Sequence, residues 1–262
     1  MLTLLSPAKS LDFSVPTEGL QVTRPQLEED TAVLLERCKE LDVATLRRLM
    51  KLSDKLSELT YQRFQDMTLP LTPENAKPCV LAFQGDVYKG LNAATLSSGD
   101  LDWAQSRLRI LSGLYGVLRP LDLIQPYRLE MGTRLENERG PDLYAFWGDR
   151  LAEALNAEHA DRPVEVVLNL ASQEYFRAVR ASRLKPRLVT AEFRELRDGE
   201  PKMISFYAKR ARGLLARYVI DQRVENPEGL MDFNEEGYSF RPELSDPDRL
   251  LFMRDQAWDA EG

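Results

Sequence analysis

Three short polar segments could together form a ligand site, because each directly follows a predicted strand. They are Ser6–Lys9 after Leu2–Leu5, Gln84–Lys89 after Cys79–Phe83, and Asn169–Ser172 after Val164–Leu170. If these strands are parallel neighbours, the segments meet at the carboxyl edge of the sheet, the usual ligand crevice of open α/β sheets. The predicted crevice residues are Ser6, Lys9, Asp86, Tyr88, Asn169 and Ser172.

The chemistry of such a crevice follows from its charges. Lys9 and Lys89 would face Asp86 and Glu174 there, a mixture that suits an anionic small ligand. A lysine in this position either binds phosphate as a point charge or acts as an amine nucleophile. The sequence leaves both alternatives open, and we assign no catalytic residue.

Basic residues concentrate in the middle of this acidic chain. The whole chain has a net charge of −7, whereas residues 107–224 hold 21 basic and 16 acidic residues, a net charge of +5. The densest segment, Lys202–Arg223, contains one acidic residue, Asp221, and a second basic run covers Arg177–Arg187. Clustered cations favour a polyphosphate partner such as DNA. The alternative is a solvated amphipathic helix whose arginines pair with Asp or Glu elsewhere in the chain.

A turn with two glycines, Gly113 and Gly116, lies within the segment Leu108–Leu121. A helix that ends in such a turn and is followed by a second helix is typical of a helix-hairpin-helix, whose backbone N–H groups hold a DNA phosphate without reading bases. A plain corner between two helices is the alternative. The predicted DNA-binding residues are Lys209, Arg210, Arg212, Arg217, Arg177, Arg180, Gly113, Gly116 and Arg119.

The composition excludes several kinds of site. His159 is the only histidine, and Cys38 and Cys79 are the only cysteines, so one chain cannot build a three-histidine zinc site or a Cys-rich zinc or iron–sulfur site. We expect no metal site and no cofactor, and we expect His159 to be a cation at a helix C-terminus. Two cysteines in apolar surroundings indicate a reducing compartment, hence the cytoplasm. With no apolar run near the roughly 18 residues of a membrane span and no signal peptide, we expect no membrane partner.

The elements that would position these residues are predicted by apolar periodicity and by capping signals. The predicted helices lie around Leu27–Leu41, Leu46–Leu59, Asp100–Ser112, Asp142–Leu155 and Tyr207–Gln222, and Arg197–Glu200 is a hairpin turn between two strands. With the strands above and a last strand near Phe252, this pattern predicts one mixed α/β (α+β) domain with a central sheet and surrounding helices. We place the domain at residues 1–254 and an acidic, disordered tail at residues 255–262.

Six segments resemble the YaaA family of bacterial peroxide-stress proteins. They are Leu4–Asp12, Ala82–Tyr88, Leu111–Glu136, Tyr144–Asp149, Asn169–Phe176 and Ile204–Gly213, and the resemblance extends over residues 1 to about 254. It implies a cytoplasmic protein of the oxidative stress response that limits damage from intracellular iron. It also implies a single α/β domain of unusual topology, with a basic cleft and a helix-hairpin-helix-like element that binds duplex or branched DNA.

The residues and the resemblance together lead to two main hypotheses. The first is a monomeric DNA-binding protein that protects DNA under peroxide stress, binds without sequence specificity and is not an enzyme. The alternative is an enzyme that acts on a phosphorylated or nucleotide-like ligand at the crevice around Lys9. A third hypothesis is an interaction protein whose partner binds the acidic tail.

Overall fold

The computed structural model describes residues 1–14, 17, 19–161 and 164–255, without the side chains of residues 159–161. The side chain of His159, predicted to be a cation at a helix C-terminus, lies outside the described residues. So does the predicted acidic tail, apart from Asp255. Within these ranges the strands are β1 (Leu2–Leu5), β2 (Ser10–Leu11), β3 (Lys77–Pro78), β4 (Phe83–Gln84), β5 (Leu108–Ser112), β6 (Gly116–Leu118), β7 (Leu123–Ile124), β8 (Val166–Asn169), β9 (Arg187–Arg197), β10 (Glu200–Lys202), β11 (Tyr238–Phe240) and β12 (Arg249–Arg254).

Some of the helices begin at a capping side chain. They are α1 (Glu28–Lys39), α2 (Val43–Met50), α3 (Asp54–Asp66), α4 (Cys79–Ala82), α5 (Asp86–Leu91), α6 (Ser98–Gln105), α7 (Leu143–Trp147), α8 (Arg150–Asp161), α9 (Gln173–Phe176) and α10 (Ser205–Asp221). The Asp142 carboxylate accepts a hydrogen bond from the Ala145 N–H at 2.8 Å at the start of α7. At the start of α6, Ser97 and Asp100 cap each other's backbone N–H groups, so the helix begins slightly before the predicted Asp100 cap.

A mostly parallel sheet forms the centre of the fold, and it is eight-stranded within the part of the chain that the structure describes. The strand order is β11-β12-β9-β8-β1-β5-β6, and β10 pairs with β9. The five strands from β12 to β5 run parallel to one another, whereas β6, β10 and β11 are added antiparallel. The predicted mixed α/β fold class is confirmed.

The middle strands follow from their apolar sequences. β1, β5 and β8 are buried at every position, as expected for strands in a sheet that is covered on both faces. β1 and β8 are direct neighbours, with Leu2 opposite Val167 and Leu4 opposite Asn169. The polar segments that follow these two strands therefore start side by side at the same edge of the sheet.

Several predicted elements are confirmed, with boundaries shifted by a few residues. The turn predicted at Arg197–Glu200 joins β9 to β10, with positive φ angles of 54° at Asp198 and 78° at Gly199, the backbone that a two-residue hairpin loop requires. The last predicted helix is α10, and Phe252 lies in β12.

The strand predicted at Cys79–Phe83 is wrong, because this segment is mostly the short helix α4. The Cys79 and Val80 N–H groups donate to the carbonyl oxygens of Asp122 and Pro120, at 2.9 and 3.1 Å, rather than to a strand of the central sheet. A short apolar run suits a buried helix as well as a buried strand. The tertiary contacts with the loop at residues 120–122 decide between them.

The helix-hairpin-helix predicted at Leu108–Leu121 is also wrong, because this segment is a β-hairpin. Helix α6 ends at Gln105, and β5 and β6 pair antiparallel with Ile110 opposite Leu118. β5 is held on its other edge by β1. Its one charged side chain, Arg109, is buried and ion-paired with Glu158 at 2.6 Å, a partner that the local sequence cannot indicate.

The contact between α5 and α10 brings two glycines against the opposing backbone. A Cβ atom on Gly213 would lie 1.8 Å from the Val87 carbonyl oxygen, and one on Gly90 would lie 2.3 Å from the Arg210 carbonyl oxygen. Both distances are shorter than any real contact of a Cβ atom, so the two helices approach this closely only with glycine at both positions. The approach sets the cations of α10 next to the first turn of α5.

Substituting Gly213→Ala should therefore destabilise the protein by about 1–3 kcal/mol, the usual cost of forcing extra volume into a packed interface. Urea unfolding monitored by circular dichroism measures this change. Gly99→Ala is the matched control, since the nearest atom to its Cβ would be Ser97 Oγ at 3.8 Å. Wild-type stability for Gly213→Ala would show that α5 and α10 do not depend on this contact.

Candidate anion-binding crevice

A cavity of about 390 Å³ opens where β1 and β8 end. Five of the six predicted crevice residues line it, together with residues from α10 and from the segment after β7. The lining side chains with polar or charged groups include Ser6, Lys9, Asp86, Tyr88, Ser172, Glu130, Glu174, Lys209 and Arg212. Asn169 does not line the cavity; its Oδ1 accepts a hydrogen bond from the Ala171 N–H at 2.9 Å and shapes the turn after β8.

Hydrogen bonds between the strand ends hold the floor of the crevice. The Ser172 N–H donates to Ser6 Oγ at 2.8 Å, and the Ser6 hydroxyl donates to Ser172 Oγ at 3.3 Å. The Tyr88 hydroxyl donates to the Ser6 carbonyl oxygen at 3.0 Å and so ties α5 to the end of β1. Burial raises the pKa of the Tyr88 phenol well above its ordinary value, so Tyr88 remains a neutral donor.

Asp86 reaches the crevice by a different route from the one predicted. The segment before it is not a third parallel strand: β4 pairs antiparallel with β2, with Ser10 opposite Gln84. This pairing folds the start of α5 back over Ser6–Lys9. The predicted strand arrangement is wrong at this point, although the polar groups still meet.

Three of the charged side chains that line the crevice have partners within the protein. Lys9 Nζ lies 2.8 Å from a carboxylate oxygen of Glu130, which also binds Arg128 at 3.2 Å. Glu174 Oε1 accepts a hydrogen bond from the Gly132 N–H at 2.9 Å. The two cations balance the charge of Glu130, whereas Glu174 receives a single backbone hydrogen bond and keeps its negative charge.

Arg212, Lys209 and Asp86 also line the cavity, and none of the three makes an ion pair with a described residue. Arg212 Nε is buried and has no hydrogen-bond partner within the described part of the chain. Burial lowers the pKa of the Arg212 guanidinium, yet an arginine stays protonated at physiological pH. Lys209, three residues earlier on α10, is exposed and likewise makes no ion pair with any described residue. Two cations without internal partners thus face one cavity.

The other cations predicted to bind DNA from α10 are used inside the protein. Arg210 is bound through two of its nitrogens to the Glu236 carboxylate, and this pairing raises the pKa of its guanidinium. Arg217 binds Asp221 at 2.8 Å and donates to the Asn92 carbonyl oxygen at the end of α5. These two arginines connect α10 to its neighbours.

The remaining members of the predicted DNA-binding set lie elsewhere. Arg180 pairs with Asp149 at 2.7 Å, Arg177 stacks on the Tyr144 ring at 4.5 Å, and Arg119 binds Asp122 at 2.9 Å. Gly113 and Gly116 are buried in the β5–β6 hairpin, where no DNA phosphate can approach them. The alternative interpretation, in which arginines pair with Asp or Glu elsewhere in the chain, describes Arg210 and Arg180, whereas Arg217 and Arg119 pair with an acidic residue four and three positions further along.

From the sequence, Lys209 and Arg212 are predicted to lie on a DNA-binding helix, and nothing in the sequence pattern connected them with the crevice. Their spacing of three residues puts both on one face of α10, a signal present in the sequence. The direction of that face depends on the contact of α10 with α5, which no local pattern shows. The part played by Glu130 was missed for the same reason, since it comes from a loop far along the chain.

Comparison with known proteins agrees with the sequence resemblance. Residues 1–244 match the profile of a family described as peroxide stress protein YaaA. The chain belongs to this family. It is also 52% identical over 256 residues to a UPF0246 protein of Burkholderia mallei (strain SAVP1), covering 97% of this chain and 98% of the relative. Membership of the YaaA family supports a general role in oxidative stress.

The described part of the chain contains no helix long and apolar enough to cross a membrane. This finding agrees with the expectation from the sequence that no apolar run reaches the length of a membrane span.

A YaaA family protein could respond to peroxide through a cysteine, but both cysteines are buried. Burial raises the pKa of the Cys38 thiol to about 12 and raises that of the Cys79 thiol well above its ordinary value. The thiolate is the nucleophile that attacks peroxide and thiol reagents, and neither residue provides it at neutral pH.

Both cysteines should therefore be inert in the folded protein. Native protein mixed with Ellman's reagent should release almost no chromophore, whereas unfolding in guanidinium should expose both thiols to reaction. Rapid formation of a sulfenic acid on Cys38 or Cys79 of native protein treated with hydrogen peroxide would contradict this prediction.

Proposed function

We propose that this protein acts in the peroxide stress response by binding the phosphate backbone of DNA, duplex or branched and without sequence specificity, at the anion-binding crevice. The observation that carries the proposal is Arg212, a guanidinium with a buried Nε and no partner among the described residues. A buried polar group without a partner is costly, and a charged one more so. A phosphate oxygen is an acceptor that suits an arginine.

Lys209 adds a second cation at the same mouth, one helical turn before Arg212. An exposed lysine contacts phosphate as a point charge without requiring a fixed geometry. The bound DNA backbone would release the counterions that these two cations of the protein replace. Iron held on that stretch of DNA would be displaced with them, which supports a role in limiting iron-dependent damage.

The small number of unpaired cations limits the strength of this binding. Two to three neutralised phosphates correspond to a slope of log K against log salt of about −2 to −3. The paired arginines of α10 would add little, because each must first give up a carboxylate partner such as Glu236 or Asp221.

Arg212→Ala should weaken binding to a labelled duplex roughly tenfold, since a hydrogen bond to a charged group contributes about 1.5–3 kcal/mol. It should also reduce the salt slope by about 1. Fluorescence anisotropy at several salt concentrations measures both quantities, and Lys209→Ala should have a similar but smaller effect.

Arg180→Ala is the matched control for this experiment, because Arg180 is paired with Asp149 and lies outside the crevice. It should bind DNA as the wild type does. Equal losses for Arg180→Ala and Arg212→Ala would contradict the crevice as the contact point, and an absence of DNA binding by the wild type would overturn the proposal itself.

A second candidate function is an enzyme acting on a phosphorylated or nucleotide-like ligand in the same crevice. The observation that favours it is the mixture of groups around a cavity of about 390 Å³, which Asp86, two serine hydroxyls and Arg212 all line. Cavities of about 300–1,000 Å³ suit small ligands. A carboxylate among cations also provides a candidate general base.

Lys9 separates the two candidates. Its ammonium is 62% exposed and paired with Glu130, a position in which Lys9→Arg keeps the charge and the pair. We expect Lys9→Arg to restore peroxide resistance to a strain lacking the protein, and Lys9→Ala to restore it poorly. Failure of a folded Lys9→Arg variant would favour an amine nucleophile, because a guanidinium stays protonated.

A further inference from the structure

A second cavity, of about 350 Å³, adjoins the anion-binding crevice, and Asp86 lines both. Its other lining residues include Lys89 from α5, Phe206 and Tyr207 from the first turn of α10, and Arg254 from the last strand. Lys89 makes no ion pair with any described residue, so this aromatic cavity also has a cation at its mouth.

Phe206 is an aromatic residue that is 56% exposed and lines a cavity. It contacts the Tyr207 ring edge-on, with the ring centroids 5.4 Å apart, so much of its surface is free to contact a ligand. Phe206 precedes Lys209 by three residues on α10, and this spacing places the two side chains on the same face of the helix. An exposed aromatic ring beside cations is the arrangement by which proteins hold single-stranded nucleic acid.

The floor of this cavity contains a buried charge network. Arg254 is 3% exposed and donates to Glu195 at 2.9 Å, and the Tyr238 hydroxyl donates to the same carboxylate. The guanidinium lies 4.8 Å from the Tyr207 ring centroid and 4.7 Å from that of Tyr238. Its Nη2 is buried and has no partner within the described part of the chain.

An orphaned donor on a buried arginine points to a ligand that carries an acceptor. The Tyr207 ring covers the guanidinium, so a ligand reaches Nη2 once that ring turns aside. A flat heterocycle with a carbonyl oxygen meets both requirements of the cavity, since its face stacks on Phe206 and its oxygen accepts from Arg254.

We propose that this cavity receives an unpaired base of DNA whose neighbouring phosphate lies at Lys209 and Arg212. The inference rests on the proposed function, and it specifies the form of DNA that the protein prefers: a strand with a base outside the double helix. A regular duplex offers the phosphate alone, because its bases are stacked and paired. Moving an extrahelical base into the cavity costs little free energy, because the base is already unstacked.

The experiment compares a blunt duplex with the same duplex carrying one extrahelical thymine, by fluorescence anisotropy. Wild-type protein should bind the bulged duplex about 5-fold more tightly or better, the lower end of what stacking on an aromatic side chain contributes. Phe206→Ala should abolish this preference and leave binding to the blunt duplex unchanged. Phe206→Tyr should keep the preference, because it retains the ring.

Leu244→Ala is the matched control, since Leu244 is another exposed apolar side chain but lines a different cavity. Thermal unfolding of Phe206→Ala should match the wild type, because the ring is mostly exposed. Equal affinity of the wild type for the two duplexes, or a preference that survives Phe206→Ala, would overturn this inference alone.

Thymidine monophosphate serves as the competitor that distinguishes a base within DNA from a free nucleotide. We expect it to compete weakly, because it carries one phosphate whereas the DNA backbone offers the two to three phosphates that the protein neutralises. Competition as strong as that of the bulged duplex would assign the cavity to free nucleotides and overturn the inference. If the wild-type protein bound neither duplex, this inference and the proposed function would both be overturned.

Discussion

The close contact between α5 and α10 is the constraint on which the crevice depends. Gly90 and Gly213 allow each helix to touch the backbone of the other, and any larger side chain would separate them. This contact holds Lys209 and Arg212 next to the start of α5, while the Tyr88 hydroxyl fixes α5 to the end of β1. Helix, strand end and cations are therefore positioned by one packing contact and one hydrogen bond.

The distribution of ion pairs explains where this acidic chain can bind an anion. Most described arginines of residues 107–224 have an acidic partner, in many cases from another segment, as Arg109 has Glu158 and Arg210 has Glu236. Such pairs hold the elements together and leave little positive charge for a ligand. Within the described residues, the cations of α10 that have no partner are those at the crevice. The basic segment Lys202–Arg223 therefore contributes a small binding site and not a broad basic surface.

The role of the family in peroxide stress does not require a reactive thiol in this chain. Cys38 and Cys79 are buried, and their raised pKa values keep them protonated, which makes them poor nucleophiles. The two neighbouring cavities offer cations, hydroxyl groups, carboxylates and an exposed aromatic ring. These groups favour binding over redox chemistry, and they are the basis of both proposals above.

The sequence by itself determined the family, the fold class, the strands Leu2–Leu5 and Val166–Asn169, and the β9–β10 hairpin, because apolar runs and turn residues are local signals. It also brought Ser6, Lys9 and Ser172 together, since polar segments after parallel strands meet at one edge, whereas Asp86 and Tyr88 reach the crevice after the antiparallel β2–β4 pair. Only the tertiary structure decided that Cys79–Ala82 is a helix and Leu108–Leu118 a β-hairpin, as short apolar runs take the form that their neighbours impose. The tertiary structure alone also decided which cations remain unpaired. Glu236 lies 26 residues from Arg210, and Glu158 lies 49 residues from Arg109, so no local pattern reveals these partners.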